Sequence, residues 1–236
     1  MCIRDRCEKE SRELNRSFIH RNITDNAFGV MKWAMSMDGR VGLKNGKSKW
    51  ITNKDSRSLV HSHRAGFDAI VIGGNTLRKD DPLLTSRGIR DPEPLRVVFT
   101  KTLDLPEKSK LWDCSVARTL VVYDSSTANK KYLKRIPKSV EIEALPSDNP
   151  KLLSNLLAKK GCNNVFWECG TKLATAAIIA GCIQELITFI SPKILGGENS
   201  MNPFEDFEFN NMNEVLYLND PEFNFIGNDI CIESSL

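Results

Sequence analysis

Short apolar runs and helix-sized segments alternate along most of this chain, and the switch between them falls repeatedly on a glycine. Val30 to Ser36 follows a glycine and reads as a buried strand. Thr52-Asn53 offers an N-cap to a helix over Lys54 to Arg64, with Leu59 and Val60 facing inward. Ala69 to Ile72 runs into Gly73-Gly74, a strand meeting a turn. Leu95 to Thr100 and Thr119 to Tyr123 are further β-rich runs. Pro150 to Lys160 reads as a helix stopped by Gly161, Asn164 to Trp167 as a strand, Thr171 to Ala180 as a helix stopped by Gly181, and Glu185 to Ile190 as a strand. After Gly197 the rhythm changes. Glu214 to Leu218, Glu222 to Ile226 and Asp229 to Ile232 read as strands joined by short turns, with no helix between them. Parallel strands need long crossovers and helices supply them, so the expected class is α/β: a mostly parallel sheet with helices on both faces and an antiparallel finish at one edge.

At 236 residues the chain has room for one substantial core, and no repeat or low-complexity linker divides it. Residues 1–6, Met-Cys-Ile-Arg-Asp-Arg, look like a translated sequencing adapter rather than a signal peptide, having neither an apolar core nor a cleavage site. They are set aside, and the gene is expected to continue upstream. Residues 7–26 precede a domain expected over 27–236. No apolar run approaches the roughly 20 residues that a membrane helix needs, so no membrane partner is expected.

All 33 Lys and Arg residues lie at or before Lys193, together with 21 of the 30 acids, so that part carries +12 and the remainder −9. The basic residues are scattered and no aromatic ladder accompanies them, which argues for a phosphorylated small ligand over nucleic acid. The seven cysteines form no C-x-x-C pair, which points to reduced thiols and a cytoplasmic setting. His61 and His63 would project about 200° apart on a helix, a poor metal pair, so no metal site is expected.

Neither a G-x-G-x-x-G fingerprint nor a G-x-x-x-x-G-K-[ST] loop occurs, and H-E-x-x-H and G-x-S-x-G are also absent. What remains is strand, small residue, helix, at Gly73-Gly74 and again at Glu168-Cys169-Gly170-Thr171. Such a turn leaves backbone amides unpaired at a helix N-terminus, where phosphate binds well, though any tight turn needs the same residues. Asp80-Asp81-Pro82 reads equally well as a functional carboxylate pair or as a helix stop. Arg64 and Arg87 could be solvated surface charges. Glu168 ends an apolar strand, where an acid calls for a partner or a ligand. On these grounds alone the chain is a ligand-binding α/β domain.

The combination is more specific than its parts. A-M-S-M-D-G, S-K-W-I-T, R-A-x-x-D-A-I-x-x-G-x-x-T-x-x-x-D-D-P-x-L-T-x-R, E-P-L-R-V-V, W-E-C-G-T-x-L and S-P-K-I-L-G-G follow one another over about residues 27 to 200. Together they resemble the 5-amino-6-(5-phosphoribosylamino)uracil reductase family, the reductase domain of the bifunctional riboflavin-biosynthesis deaminase/reductase, with wording similar to cyanobacterial members. Residues 7–26 resemble the junction to the upstream deaminase domain, whose H-A-E and P-C-x-x-C zinc signature is absent here.

The resemblance implies a dihydrofolate-reductase-like fold, a homodimer, NADPH as cofactor, and a phosphorylated ribosylamino-pyrimidine as substrate, reduced at the ribose C1 of its opened imine. On matching positions it implies that Ala34, Trp50, Thr76 and Asp80 contact the cofactor, with Gly170, Thr171, Lys172, Leu173, Ala174, Thr175 and Ala176 through a helix start. It implies substrate contacts from Ser48, Arg64, Leu84, Arg87 and Glu168, with the arginines gripping the phosphate and Asp80 as the catalytic polar group. Thr100-Lys101 departs from the family's Asp-Ser, and Lys101 is expected to meet the NADPH 2′-phosphate. A related oxidoreductase acting on another pyrimidine or pterin, and a non-catalytic ligand-binding partner of a deaminase, are the alternatives.

Overall fold

The apolar runs form one nine-stranded sheet. The computed structural model describes residues 7–197 and 200–236, so the adapter-like residues 1–6 lie outside the described part. Seven strands are parallel to their neighbours: β1 (Phe28–Ser36), β2 (Ala69–Gly73), β3 (Leu95–Thr100), β4 (Thr119–Asp124), β5 (Glu141–Leu145), β6 (Asn164–Trp167) and β7 (Glu185–Ser191). The hairpin β8 (Asn219–Ile226) and β9 (Asp229–Ser235) joins antiparallel, giving the order β5-β4-β3-β2-β6-β1-β7-β9-β8. The α/β architecture with an antiparallel finish is therefore as expected.

Strand β1 lies inside the sheet, with Met31 beside Trp167 of β6 on one side and Leu186 of β7 on the other. Among the described residues six helices accompany the strands: α1 (Glu8–Leu14), α2 (Arg16–Thr24), α3 (Lys54–Ala65), α4 (Gly74–Asp80), α5 (Pro150–Lys159) and α6 (Thr171–Ile179). Asn53 caps α3 by accepting the Ser56 amide at 2.9 Å, and Asn149 caps α5 through the Lys151 amide at 2.9 Å. Alternation along the strands builds two apolar layers. One packs Val71, Val97, Val165 and Trp167 against Leu153 and Leu157 of α5 and Ala174 and Ala177 of α6. The other packs Ile70, Ile72, Val98 and Phe166 against Val60 of α3 and Leu77 of α4. Each such side chain contributes about 1.5–3 kcal/mol by leaving water, which locks the strands in register.

Among the strands, two differ from expectation, and the junction segment forms α1 and α2, for which no helix was expected. Residues 215–218 form no strand: a 3-10 turn at Met212–Glu214 leads into an unpaired stretch, and β8 begins at Asn219. The pairing of β8 with β9 runs back from Ile226 to Asn219, irregular between Asn219 and Glu222, and the chain before it leaves the sheet. The second is β5, whose Glu-Ile-Glu-Ala-Leu sequence alternates exposed and half-buried positions at the sheet edge. Pro221 lies within β8, where an edge strand tolerates its missing N–H.

Candidate active site

Open parallel sheets leave a crevice beyond the carboxyl ends of their strands, because the loops there diverge to opposite faces. Here a cavity of about 310 Å³ lies beyond β1, β2 and β6. Its wall contains Ala34, Ser48, Arg64, Thr76, Asp80, Leu84, Glu168, Gly170 and Thr171. The parallel topology thus gathers nine of the sequence-derived candidates from six segments that lie far apart in the chain.

The two neighbouring acids have separate tasks. Asp81 accepts the Ser109 hydroxyl at 2.7 Å and the Lys110 amide at 3.0 Å, and its backbone carbonyl accepts Lys110 Nζ at 3.1 Å. Its φ of +39° ends α4. Asp80 lines the cavity and makes no hydrogen bond or ion pair among the described residues. One acid fastens a loop, and the other has no partner among the described residues.

Arg64, from the last turn of α3, meets Glu168 at the end of β6 in a two-pronged pair, Nε to Oε1 at 2.6 Å and Nη2 to Oε2 at 3.0 Å. Both side chains are largely buried, at 12% and 13% exposure. Arg64 Nη1 also donates to the Thr85 carbonyl at 3.1 Å. Burial pushes the Glu168 carboxyl up, but Arg64 and then Lys32 outweigh it and hold it below the usual carboxylate range. Burial likewise opposes the Arg64 charge, and Glu168 overrides it. Removing one partner of such a buried pair costs about 3–5 kcal/mol. The expectation that Arg64 grips a phosphate meets a physical obstacle: its charge is already matched by Glu168. His61 Nδ1 lies 3.2 Å from both Arg64 Nη1 and the Thr85 carbonyl, and burial followed by the Arg64 charge lowers its pKa.

Other candidates fall elsewhere. Arg87 is exposed, with φ +59°, in the loop that follows Leu84. The Trp50 ring lies 65% exposed beneath the Arg57 guanidinium, 4.3 Å from the ring centroid, rather than in the cavity wall. Lys101, beyond the end of β3, is paired with Asp148 at 3.0 Å. Leu173, Ala174, Thr175 and Ala176 belong to the body of α6, and the Lys172 side chain is 88% exposed near Glu205. None of these eight lines the cavity.

Lys32 went unnoticed in the sequence. It lines the cavity from β1, and burial lowers its pKa although Glu168 opposes the shift. The signal was there, a lysine inside an otherwise apolar strand. Asn75, Lys79 and Trp33 also reach the wall. Trp33 packs edge-on against Phe204, with centroids 4.9 Å apart, and its buried indole N–H has no partner among the described residues. Cys169 lines the cavity too, but burial pushes its thiol up to about 12, which rules out a thiolate nucleophile. Among the described residues no cluster of three or more His, Cys, Asp or Glu could hold a metal.

The start of α6 suits phosphate chemistry. Its N-cap is Gly170, with no side-chain cap, and the Ala174 amide is the first to close on the helix. Amides ahead of it are left for a ligand, and the helix dipole favours an anion there. An orphaned indole donor and an uncapped helix start beside one cavity fit a phosphorylated dinucleotide, and among the described residues no helix is long and apolar enough to cross a membrane.

Sheet order, flanking helices and crevice define a dihydrofolate-reductase-like α/β domain. The dihydrofolate reductase of Enterococcus faecalis, solved with NADP(H), shares this fold at TM-score 0.50 and 13% identity over 88% of this chain and 96% of that one. More specifically, a model described as the RibD C-terminal domain matches residues 27–232, and the chain belongs to that family. The riboflavin biosynthesis protein RibD of Synechocystis sp. is 38% identical over 94% of this chain and 60% of its own length. Acinetobacter baumannii RibD superposes at TM-score 0.83 with 24% identity, over 97% of this chain and 63% of that one. The chain thus spans about three-fifths of the length of each of these two RibD proteins.

Proposed function

We infer that this chain is the reductase of the pathway for which its relatives are named. It reduces 5-amino-6-(5-phosphoribosylamino)uracil to the ribitylamino product with NADPH. The observation that supports this best is the unpaired Asp80 carboxylate sharing one cavity with Lys32, the Arg64–Glu168 pair and the uncapped start of α6. When bound, NADPH supplies the hydride that turns the opened imine carbon of the ribosyl chain into an amine-bearing CH2.

The chain's own residues do the rest. Backbone amides at Thr171 and beyond receive the cofactor's diphosphate, and Thr76 and Ala34 flank it. Lys101, at the far end of β3, exchanges Asp148 for the adenosine 2′-phosphate. Asp80 stabilises the protonated imine, the form that accepts hydride, through a fixed negative charge. Arg64 holds Glu168 in one orientation, so Glu168 can accept hydrogen bonds from the pyrimidine or a ribityl hydroxyl. Arg87, with no acid partner among the described residues, takes the phosphate, while the Arg64 charge is matched by Glu168.

Two partners belong to the same reading. Strand β8 leaves Phe223 and Phe225 at 64% and 79% exposure on an open edge, a surface suited to a second copy. The part of the relatives beyond this chain would supply the deaminase that makes the substrate.

The test is NADPH oxidation by the purified chain with freshly deaminated ribosylamino-pyrimidine phosphate. Wild type is expected to turn over, and Asp80→Asn to lose roughly 10²–10⁴-fold in kcat. Substrate-independent oxidation, or an Asp80→Asn variant with wild-type turnover, sinks the assignment.

A further inference from the structure

Ser86, Arg87 and Gly88 follow the cavity-lining Leu84, and a single carboxylate fixes the loop they form. Glu93 Oε2 accepts the Ser86 amide at 2.6 Å, and Oε1 accepts the Gly88 amide at 2.9 Å. The residue between those two clamped amides is Arg87. Its φ of +59° is left-handed, a conformation that long side chains rarely hold unless their surroundings impose it. The far side of the loop is tied as well, because the Arg90 amide donates to the Ser86 hydroxyl at 3.1 Å.

The backbone is fixed and the charge is not. No carboxylate lies within 4.0 Å of the Arg87 guanidinium among the described residues, and Glu93 bonds to backbone rather than to that side chain. Those two amide bonds help hold the Glu93 carboxyl below its ordinary range against the opposing effect of burial. Arg87 stands three residues beyond the cavity-lining Leu84, which places the loop at the rim of the cavity. An exposed arginine on a free loop would lose conformational freedom on binding an anion. One held beforehand loses less.

We propose that Glu93 is a positioning residue for substrate binding: it clamps the amides on either side of Arg87 and thereby presents an unpaired guanidinium to the substrate's phosphate. This rests on the phosphorylated substrate proposed above. Through this clamp the E-P-L-R segment, which contributes no side chain to the cavity wall, acts on the site.

Glu93→Ala is expected to raise KM for the phosphorylated substrate on the order of tenfold or more. Its kcat falls by less than about twofold, and KM for the dephosphorylated analogue does not move. Glu93→Gln keeps one acceptor oxygen and recovers part of the loss. In an Arg87→Ala background Glu93→Ala adds nothing, because the two act through one contact. Equal KM changes for both substrates, or additive losses in the double variant, overturn the proposal. A second readout does not need turnover. Inorganic phosphate titrated into the ¹⁵N-labelled protein shifts the Arg87 and Gly88 amide resonances, and Glu93→Ala abolishes the shift. If wild type shows that shift yet reduces no pyrimidine, the reductase reading fails and the clamp stands. If wild type reduces the substrate and phosphate shifts neither resonance, the clamp fails and the reductase stands.

Discussion

The turn from β2 into α4 and the turn from β6 into α6 both place glycine at the helix start, and neither helix has a side-chain cap. At Gly74 the fold itself demands glycine. A Cβ there would lie 2.9 Å from Thr100 Oγ1 and 3.2 Å from Leu105 Cδ2, because α4 starts flush against β3. At Gly170 a Cβ would find only Thr76 Oγ1, at 3.8 Å, and the backbone has φ −77°, open to any residue. Packing explains the first glycine and leaves the second unexplained. A glycine that the protein does not need for itself marks a place where something else comes close to the backbone.

That contrast can be broken by experiment. Gly74→Ala should overpack the α4–β3 contact and cost about 1–3 kcal/mol. For a domain this size that lowers Tm by about 2–4 °C per kcal/mol in a thermal melt. Gly170→Ala should leave Tm unchanged or raise it, through the roughly 0.4–1 kcal/mol that alanine removes from unfolded-state entropy. It should also raise KM for NADPH about tenfold, by keeping the cofactor's phosphates from the α6 amides. A drop in Tm for Gly170→Ala with unchanged KM would reverse the comparison.

A smaller effect concerns the end of β1, which closes with a clasp instead of a helix. Asp38 accepts the Ser36 hydroxyl at 2.5 Å and the amides of Leu195 and Gly196 at 3.1 and 2.7 Å. The Ser36 hydroxyl first, then those amides, hold its carboxyl at about 2, below the ordinary 3.8. A depressed carboxylate adds stability that is complete above its unfolded value and is lost as pH falls through its folded one. Hydrogen exchange at Leu195 and Gly196 should therefore accelerate between about pH 4 and pH 2. In Asp38→Asn it should be fast already at neutral pH, and an acid step that persists in that variant would assign the effect to another group.

The parallel core was legible because both of its faces are buried. β3 and β6 were read with their observed bounds, since runs such as L-R-V-V-F-T have no exposed face to blur the signal. Edges read poorly. Half-exposed β5 gave no apolar run, and the apolar Leu216, Tyr217 and Leu218 imitated a strand where the chain only passes along the outside. The same physics divides the site. Adjacent acids look alike in sequence, and only the Ser109 and Lys110 donors separate structural Asp81 from unpaired Asp80. Arg64 looked free until the end of β6 brought Glu168 to it across the sheet. Lys32 stands out in an otherwise apolar strand, but only the fold brings Glu168 and the cavity to it.

The position of β1 has a consequence for how the molecule comes into being. It is the first strand of the sheet in the chain, yet both of its neighbours arrive late: Phe28 pairs with Asn164 and Ser36 with Ser191. During synthesis an apolar nine-residue segment must wait, unpaired, while β2, β3, β4 and β5 emerge and zip together beside it. Such long-range closure is slow and leaves a sticky intermediate. The cavity, whose floor includes Lys32 and Ala34 of that same strand, exists only after β6 and β7 have closed on it. A nascent or truncated chain lacking those strands would therefore be blind to its ligands, and occupancy of the cavity would report that the last parallel strands are home.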